Sequence, residues 1–148
     1  MEPYFSVYLG TGRVLVKSLP ESSALTAPSF VTTGDKQLVE VEVHHGQVYF
    51  RHEGLRYSIG VVPEVEVLSG DLAYVGGLPE DEDSGAWGGH FKGCLQDLRL
   101  DGVHLDVDAW NTSLNNSEGL VYLPSGAENV ETGCISDNTC EVELYLNI

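Results

Sequence analysis

The feature that most constrains the fold of this chain is residues 90–105, HFKGCLQDLRLDGVHL, where a Gly-Cys pair opens a run of alternating residues. Apolar and charged residues alternate after Cys94, and this period of two is typical of a half-buried strand. The Asp-Gly dipeptide at positions 101–102 tolerates the positive φ angles of a two-residue type I′ turn. The pattern therefore predicts an antiparallel hairpin between residues 95–100 and 103–107, with a cysteine at its base.

Runs of period two recur through the rest of the chain. Residues 4–9 and 13–17 flank a Gly-Thr-Gly turn and predict a first hairpin, and residues 38–44 and 48–51 flank a His-Gly turn and predict a second. Residues 18–33 are rich in Ser, Pro, Thr and Ala and predict a loop with at most one short strand. Further short strands are predicted at residues 57–62, 65–68 and 72–75. No helical period appears, so the sequence predicts an all-β fold, an antiparallel β-sandwich.

Charge excludes several classes of partner. The chain of 148 residues carries 7 basic and 23 acidic residues, for a formal net charge of −16. Nucleic acid and anionic membranes are disfavoured, because affinity for phosphate depends on Lys and Arg. Heparin-like glycans are disfavoured for the same reason. No run of about 18 apolar residues is present, so the sequence predicts no membrane-spanning helix.

Two motifs carry a resemblance to a known family. Residues 74–79, YVGGLP, precede a short acidic loop, and residues 91–102, FKGCLQDLRLDG, follow it. This pair resembles the C-terminal half of laminin G-like domains, and within that superfamily the domains of Crumbs-type cell-polarity proteins. The resemblance covers residues 4–134 and implies a jelly-roll sandwich of the concanavalin type. Complete domains of this kind have strands before the equivalent of residue 4, so we expect an N-terminally incomplete domain with an exposed sheet edge.

The cysteines number three, an odd count that leaves one without a partner inside the chain. A metal site is disfavoured, because the paired C-x2-C spacing of zinc sites is missing. In the family, the hairpin cysteine bonds to one near the domain's end, so the resemblance implies a disulfide between Cys94 and Cys134. Cys140 would then be the first cysteine of a following EGF-like repeat. Residues 135–148 form a tail at that boundary, and its last residues, EVELYLNI, have no predicted role.

No motif for catalysis is present: the sequence has neither G-x-S-x-G nor HExxH, and we expect no enzymatic activity. His44 and His45 are adjacent, so on a strand they should face opposite ways and fail to share an ion. A glycosidase needs two carboxyl groups across a cleft. The acidic run at residues 80–83 lies instead within one loop, where a solvated surface is the simpler interpretation.

The resemblance makes calcium the one candidate metal for this chain. Many laminin G-like domains bind Ca²⁺ at the sandwich rim through oxygen ligands, as this hard cation requires. The first ligand position of the family falls on Pro3, beside Glu2, and proline has no side-chain oxygen. Asp81 and Asp83 remain as candidate ligands. We therefore expect no cofactor, with calcium as a hypothesis at these two residues.

The expected function follows from the resemblance. It implies a non-catalytic, extracellular interaction module of a Crumbs-like multidomain protein, next to EGF-like repeats, in apical cell polarity and adhesion. The parent would be secreted or a single-pass protein of the apical plasma membrane. Two sequons, at Asn111 and Asn115, are candidate glycosylation sites on a loop.

Binding rims of such sandwiches are loops, and the predicted contact residues belong to one loop. They are Glu80, Asp81, Asp83 and Trp87. The expected ligand is an extracellular protein or glycan. The alternatives are a Slit, agrin or neurexin-type binding domain and a lectin-like or glycosidase sandwich.

Overall fold

The computed structural model describes residues 5–19, 21–64, 66, 68, 74–78, 84–101, 103–104 and 141–147. Their regular structure is almost entirely strand. The elements are β1 (Ser6–Gly10), β2 (Arg13–Lys17), β3 (Leu25–Phe30), β4 (Gln37–His44), β5 (Gln47–His52), β6 (Leu55–Val61), a 3₁₀ turn (Ser84–Trp87), β7 (Cys94–Leu100), β8 (Val103–His104) and β9 (Glu141–Asn147). The predicted all-β fold is confirmed.

The strands form two sheets. One has three strands in the order β1-β2-β3, and the other has six in the order β6-β5-β4-β9-β7-β8. The predicted hairpins are present as β1-β2, β4-β5 and β7-β8, each antiparallel. Within the part of the chain that the structure describes, β1 pairs with β2 alone, which leaves its other edge open. No helix among these residues has the length and apolar character needed to cross a membrane.

Three of the hairpins turn through two residues that both have positive φ. The first residues have φ of 52°, 48° and 51°, and the glycines that follow have φ of 81°, 75° and 75°. These values are those of type I′ turns, whose twist matches the twist of the strands. The turns are Thr11-Gly12, His45-Gly46 and Glu53-Gly54. Glycine in second position therefore fixes the register of the hairpins.

The core lies between the two sheets and is made of side chains from alternate strand positions. Val14 and Val16 of β2 and Val39 and Val41 of β4 belong to one buried cluster, and none of the four is more than 2% exposed. The other buried members of this cluster are Ala27, Val31, Val48, Phe50 and Val62. Full burial of a Val or Phe side chain stabilises by about 1.5–3 kcal/mol. Because one cluster draws on both sheets, the architecture is the predicted sandwich.

The strand that the sequence did not predict is β9. It lies between β4 and β7 and pairs parallel with both, so the larger sheet is mixed rather than purely antiparallel. Val142, Leu144 and Leu146 do alternate with polar residues, which is a strand signal. Parallel partners are joined by long connections, so nothing local to the tail indicates which strands it joins.

Two of the predicted short strands differ from the structure. Glu66, Leu68, Tyr74 and Val75 are the described residues of the runs 65–68 and 72–75, and none of them is in a strand. Tyr74 is 48% exposed and Leu68 is 59% exposed, so these side chains do not join the core. Alternation over so few residues does not by itself predict a strand, because a strand forms only by pairing with another strand in the sheet. The end of the predicted strand at 103–107 lies outside the described residues.

Candidate functional site

The predicted contact loop ends in a segment that packs against the three-stranded sheet. We call residues 84–89 the strap; it consists of the 3₁₀ turn Ser84–Trp87 and two glycines. Two side chains from the sheet hold its backbone: Lys17 Nζ donates to the carbonyl oxygen of Ala86 at 2.8 Å, and Ser6 Oγ donates to that of Trp87 at 2.8 Å.

Register shows which face of the sheet the strap covers. Ser6 and Lys17 are cross-strand partners in β1 and β2, as are the next pair, Val7 and Val16. Val16 is fully buried in the core and Val7 packs against it. Side chains of neighbouring pairs point to opposite faces of a sheet. Ser6 and Lys17 therefore point away from the core, and the strap lies on the outer face of the three-stranded sheet.

Gly88 of the strap lies directly against the side chain of Tyr8 in β1. This residue has φ of 104°, and a Cβ atom placed on it would overlap Cβ, Cγ and Cδ2 of Tyr8. Because these atoms of Tyr8 lie next to its backbone, they cannot move aside easily, so only glycine fits at position 88. Trp87, immediately before it, is only 7% exposed. The strap therefore packs against the three-stranded sheet.

A hydrogen bond closes the base of the loop. The backbone N–H of Phe91 donates to the carbonyl oxygen of Gly76 at 2.6 Å. Next to it, the ring of His90 lies directly against Gly77, where a Cβ atom would overlap Nδ1. Gly77 and His90 therefore lie together at this base. We call residues 77–90 the contact loop; its acidic run, residues 80–83, lies outside the described residues.

Most of the predicted site residues lie outside the described part of the chain. They are Glu80, Asp81, Asp83, Asn111, Asn115, Cys134 and Cys140. Cys94 is the first residue of β7, at the base of the hairpin as expected. The disulfide, the glycosylation sites and the calcium ligands therefore stay predictions. Among the described residues, no three His, Cys, Asp or Glu side chains come together as a metal site would require.

Trp87 is the one predicted contact residue whose side chain the structure describes. Its indole is buried, so it offers little surface to a ligand. Trp87 instead helps to anchor the strap to the sheet, because its carbonyl oxygen accepts the hydrogen bond from Ser6. The prediction that the loop contacts a ligand now rests on its acidic residues.

A second polar constellation was not predicted from the sequence. Ser29 Oγ lies 3.0 Å from Nδ1 of His52, and Nε2 of His52 lies 2.6 Å from Oε1 of Gln37. The amide nitrogen of Gln37 donates to Thr33 Oγ1 at 2.9 Å and to the carbonyl oxygen of Asp35 at 3.4 Å. Gln37 Oε1 must therefore accept from the His52 ring, and the Ser29 hydroxyl donates to the other ring nitrogen.

Ser29, His52 and Gln37 are arranged like the nucleophile, base and orienting group of a catalytic triad, but Gln37 differs chemically from the usual orienting group. An orienting carboxylate stabilises the imidazolium that forms when the base takes a proton, and Gln37 is a neutral amide. His52 is only 6% exposed, and both its ring nitrogens are engaged. The arrangement is suited to joining the two sheets. This network could not be predicted from the sequence, because its three residues lie on three different strands.

The adjacent histidines lie at the predicted His-Gly surface turn between β4 and β5. Their ring centroids are 4.3 Å apart in an edge-to-face arrangement. His45 is the first residue of a type I′ turn, with φ of 48°, so strand alternation does not apply to it. His45 Nδ1 also lies 3.9 Å from Glu64 Oε1, with both side chains about 80% exposed. A contact so exposed contributes little to the free energy of unfolding.

The outer face of the larger sheet carries two arginine–glutamate pairs. Arg51 and Arg56 are cross-strand partners in β5 and β6. Arg51 lies 3.7 Å from Glu40, and Arg56 lies 3.1 Å from Glu42. The guanidinium of Arg56 also lies 3.6 Å from the centre of the Tyr49 ring. Both arginines are thus already partnered within the chain.

Comparison with known proteins finds relatives among the Crumbs homologues. The chain is 30% identical over 138 residues to Protein crumbs homolog 1 of Mus musculus, covering 93% of this chain and 9% of the relative. It is 32% identical over 143 residues to Protein crumbs homolog 2 of Homo sapiens, covering 96% of this chain and 10% of the relative. Over 79 residues, 53% of this chain, it is 40% identical to Protein crumbs homolog 2 of Mus musculus.

No protein-family model and no solved structure matches the chain. The chain spans at most about a tenth of the length of the relatives that it matches, so their properties as whole proteins are not automatically those of this segment. The similarity nevertheless extends over nearly all of the described strands. Across most of its length, this chain is homologous to a segment of the Crumbs proteins.

Proposed function

We propose that the chain is a non-catalytic, extracellular interaction module of a Crumbs-like multidomain protein, with a laminin G-like architecture. Within that protein it would contribute to apical cell polarity and adhesion, on a secreted or single-pass apical membrane protein. Neighbouring EGF-like repeats, a Cys94–Cys134 disulfide and glycans on Asn111 and Asn115 are parts of the same proposal. Similarity over 93% of the chain to a Crumbs homologue supports it.

The observation that carries the binding role is the anchoring of the described residues on either side of the acidic run. The hydrogen bond between Phe91 and Gly76 and the contacts of Ser6 and Lys17 with the strap hold these residues to the sandwich. Binding residues are often found on loops that a rigid scaffold positions. The acidic run and the net charge of −16 favour a ligand with a basic surface. We propose an extracellular protein as this ligand, with a glycan as the alternative.

A binding screen with matched charge variants tests this function. The immobilised chain is presented to extracellular proteins and to a glycan array, with and without a calcium chelator. We expect binding to at least one protein, and loss of that binding in the triple variant Glu80→Gln, Asp81→Asn, Asp83→Asn. The control variant Glu21→Gln, Asp35→Asn, Glu66→Gln removes the same charge from exposed positions elsewhere and should bind normally.

The same screen separates the alternatives. Equal losses in both variants would contradict a role for the loop and indicate a general charge effect. Binding to glycans alone would favour the alternative ligand class. A chelator effect that disappears in Asp81→Asn or Asp83→Asn would assign calcium to these residues. Turnover of a polysaccharide by the chain would overturn the non-catalytic proposal.

A further inference from the structure

The three-stranded sheet differs in charge from the rest of the molecule. Its strands contain Arg13 and Lys17 and no acidic residue, although the whole chain carries 23 acidic side chains and 7 basic ones. Lys17 is engaged by the strap, whereas Arg13 lies at the opposite end of β2. The outer face of this sheet therefore has a basic end in an acidic molecule.

Among the described residues, Arg13 is the arginine without a carboxylate partner. The other three arginines each lie within 4 Å of a carboxylate, whereas the guanidinium of Arg13 lies over the ring of Phe30, 4.4 Å from its centre. No described residue accepts a hydrogen bond from Arg13. A guanidinium that stacks on an aromatic ring keeps its N–H groups in one plane, where two of them can donate to the two oxygens of a carboxylate.

Phe30 is held in place beneath this guanidinium. It is in register with Arg13, and its side chain is 56% exposed. The backbone N–H of Val31 donates to the carbonyl oxygen of Gly12 at 2.8 Å, which fixes the end of β3 against the first turn. A Cβ atom on Gly12 would lie 3.0 Å from Cδ1 of Phe30, so the ring packs against the backbone of that turn. A pair that is fixed before binding loses less conformational entropy when a ligand arrives.

Aliphatic side chains lie beside this pair on the same face. Val14 of β2 and Ala27 of β3 are buried in the core, so the residues next to them on each strand point outward. Apart from Lys17, which the strap engages, we call the outward residues of β2 and β3 the basic face: Arg13, Leu15, Thr26, Pro28 and Phe30. This face combines one cation with an exposed aromatic ring and aliphatic neighbours.

We propose that the basic face binds a carboxylate-bearing peptide of a partner protein: Arg13 pairs with an Asp or Glu side chain, and Phe30 and Leu15 contact an adjacent apolar side chain. The net charge of −16 favours this class of ligand. A densely charged polyanion is repelled by the molecule as a whole, whereas a single carboxylate pairs with Arg13 well inside the Debye length of about 8 Å at physiological salt. The site goes beyond the proposed function, because it uses other residues and a ligand of the opposite charge.

Selection from a random peptide library on the whole chain, at physiological salt, tests this proposal. Counter-selection on Arg13→Gln discards peptides that bind elsewhere, and we expect the enriched peptides to carry Asp or Glu next to an apolar residue. A synthetic peptide of the enriched sequence should bind Arg13→Gln about tenfold more weakly than the wild type, because a charge-assisted pair is lost. Replacing the acidic residue of the peptide by its amide should have the same effect.

Matched variants separate this site from general effects. Arg51→Gln removes the same charge from the outer face of the larger sheet, where the arginine pairs with Glu40, and should bind the peptide normally. Phe30→Ala should weaken binding, whereas Leu55→Ala removes a side chain of similar exposure, 58%, from the edge of the larger sheet and should not. Arg13→Lys keeps the charge without the planar donors, so its affinity should lie between those of the wild type and Arg13→Gln.

Three outcomes would overturn the proposal. The first is a selection that enriches no acidic peptide over Arg13→Gln. The second is equal weakening in Arg13→Gln and Arg51→Gln, which would indicate a general charge effect. The third is Arg13-dependent binding of hyaluronan or polysialic acid in place of peptide, which would assign the face to anionic glycans. Urea denaturation checks that each variant is folded. The triple variant at residues 80, 81 and 83 should bind the peptide at least as tightly as the wild type, so this test is independent of the proposed function.

Discussion

At the scale of single residues, His52 shows how a buried polar side chain is accommodated in this core. Val48 and Phe50 precede it on the inward face of β5, and both are fully buried. His52 continues this row to the end of the sandwich, where Ser29 and Gln37 satisfy its two ring nitrogens. A buried polar group costs about 1–3 kcal/mol when left unpaired, so the network must be complete to be tolerated.

We predict that His52→Ala lowers the free energy of unfolding by about 2–3 kcal/mol, because it leaves both Ser29 and Gln37 without their partner. Ser29→Ala should cost about 1 kcal/mol. Urea denaturation of the two single variants and the double variant measures the coupling, which should be clearly non-zero. Ser23→Ala, at an exposed serine before β3, is the control and should match the wild type. Additive effects of the two variants would contradict a shared network.

At the scale of elements, β4 shows how alternation sets the two faces of the larger sheet. Val39 and Val41 are buried in the core, whereas Leu38 is 48% exposed on the opposite face. Glu40 lies on the same outward face as Leu38 and pairs with Arg51 of β5. Moving the register by one residue would place the charged row inside the sandwich, so the pattern admits only one register.

The two faces of β4 should respond differently to truncation. Val41→Ala removes two methyl groups from a side chain that is 1% exposed, and we expect a loss of about 2 kcal/mol in the free energy of unfolding. Leu38→Ala removes a larger group from an exposed position and should cost less than about 0.5 kcal/mol. Thermal and urea denaturation measure both. Equal losses would contradict the assigned faces.

The element whose removal should matter most is β9. Glu143 is in register with Leu38 on one side and with Gln96 on the other. Proline has no N–H to donate and is rarely found in central strands, so Glu143→Pro should destabilise the chain by about 2–3 kcal/mol. Glu21→Pro, in the exposed loop between β2 and β3, is the matched control. Wild-type stability of Glu143→Pro in urea denaturation would show that β9 is not an essential central strand.

At the scale of the whole molecule, a high net charge acts against the compact state. A charge of −16 on 148 residues repels itself, and this repulsion is reduced by salt. The valine-rich core between the sheets opposes it. Three of the four arginines, Arg51, Arg56 and Arg99, each lie within 4 Å of a carboxylate, but these pairs are at the surface and contribute little individually to stability.

The predicted disulfide would add to this stability. A bond between Cys94 and Cys134 closes a loop of about 40 residues and should stabilise by about 3–4 kcal/mol on the loop-entropy model. Intact-mass analysis with and without reductant, followed by mapping of cross-linked peptides, checks the pairing. We expect Cys140 to remain without a partner in the chain. A bond of Cys94 or Cys134 to Cys140 would contradict both the pairing and the domain boundary.

The sequence by itself determined the hairpins and the faces of their strands. Residue pairs such as His45-Gly46 allow one kind of turn, and alternation such as that of Val39 and Val41 allows one buried face, because both depend on neighbouring residues. The tertiary structure alone decided where β9 inserts, which side chains meet His52, and that Lys17 holds the strap 69 residues away in sequence. Such contacts join distant segments, and a local period carries no information about distant partners.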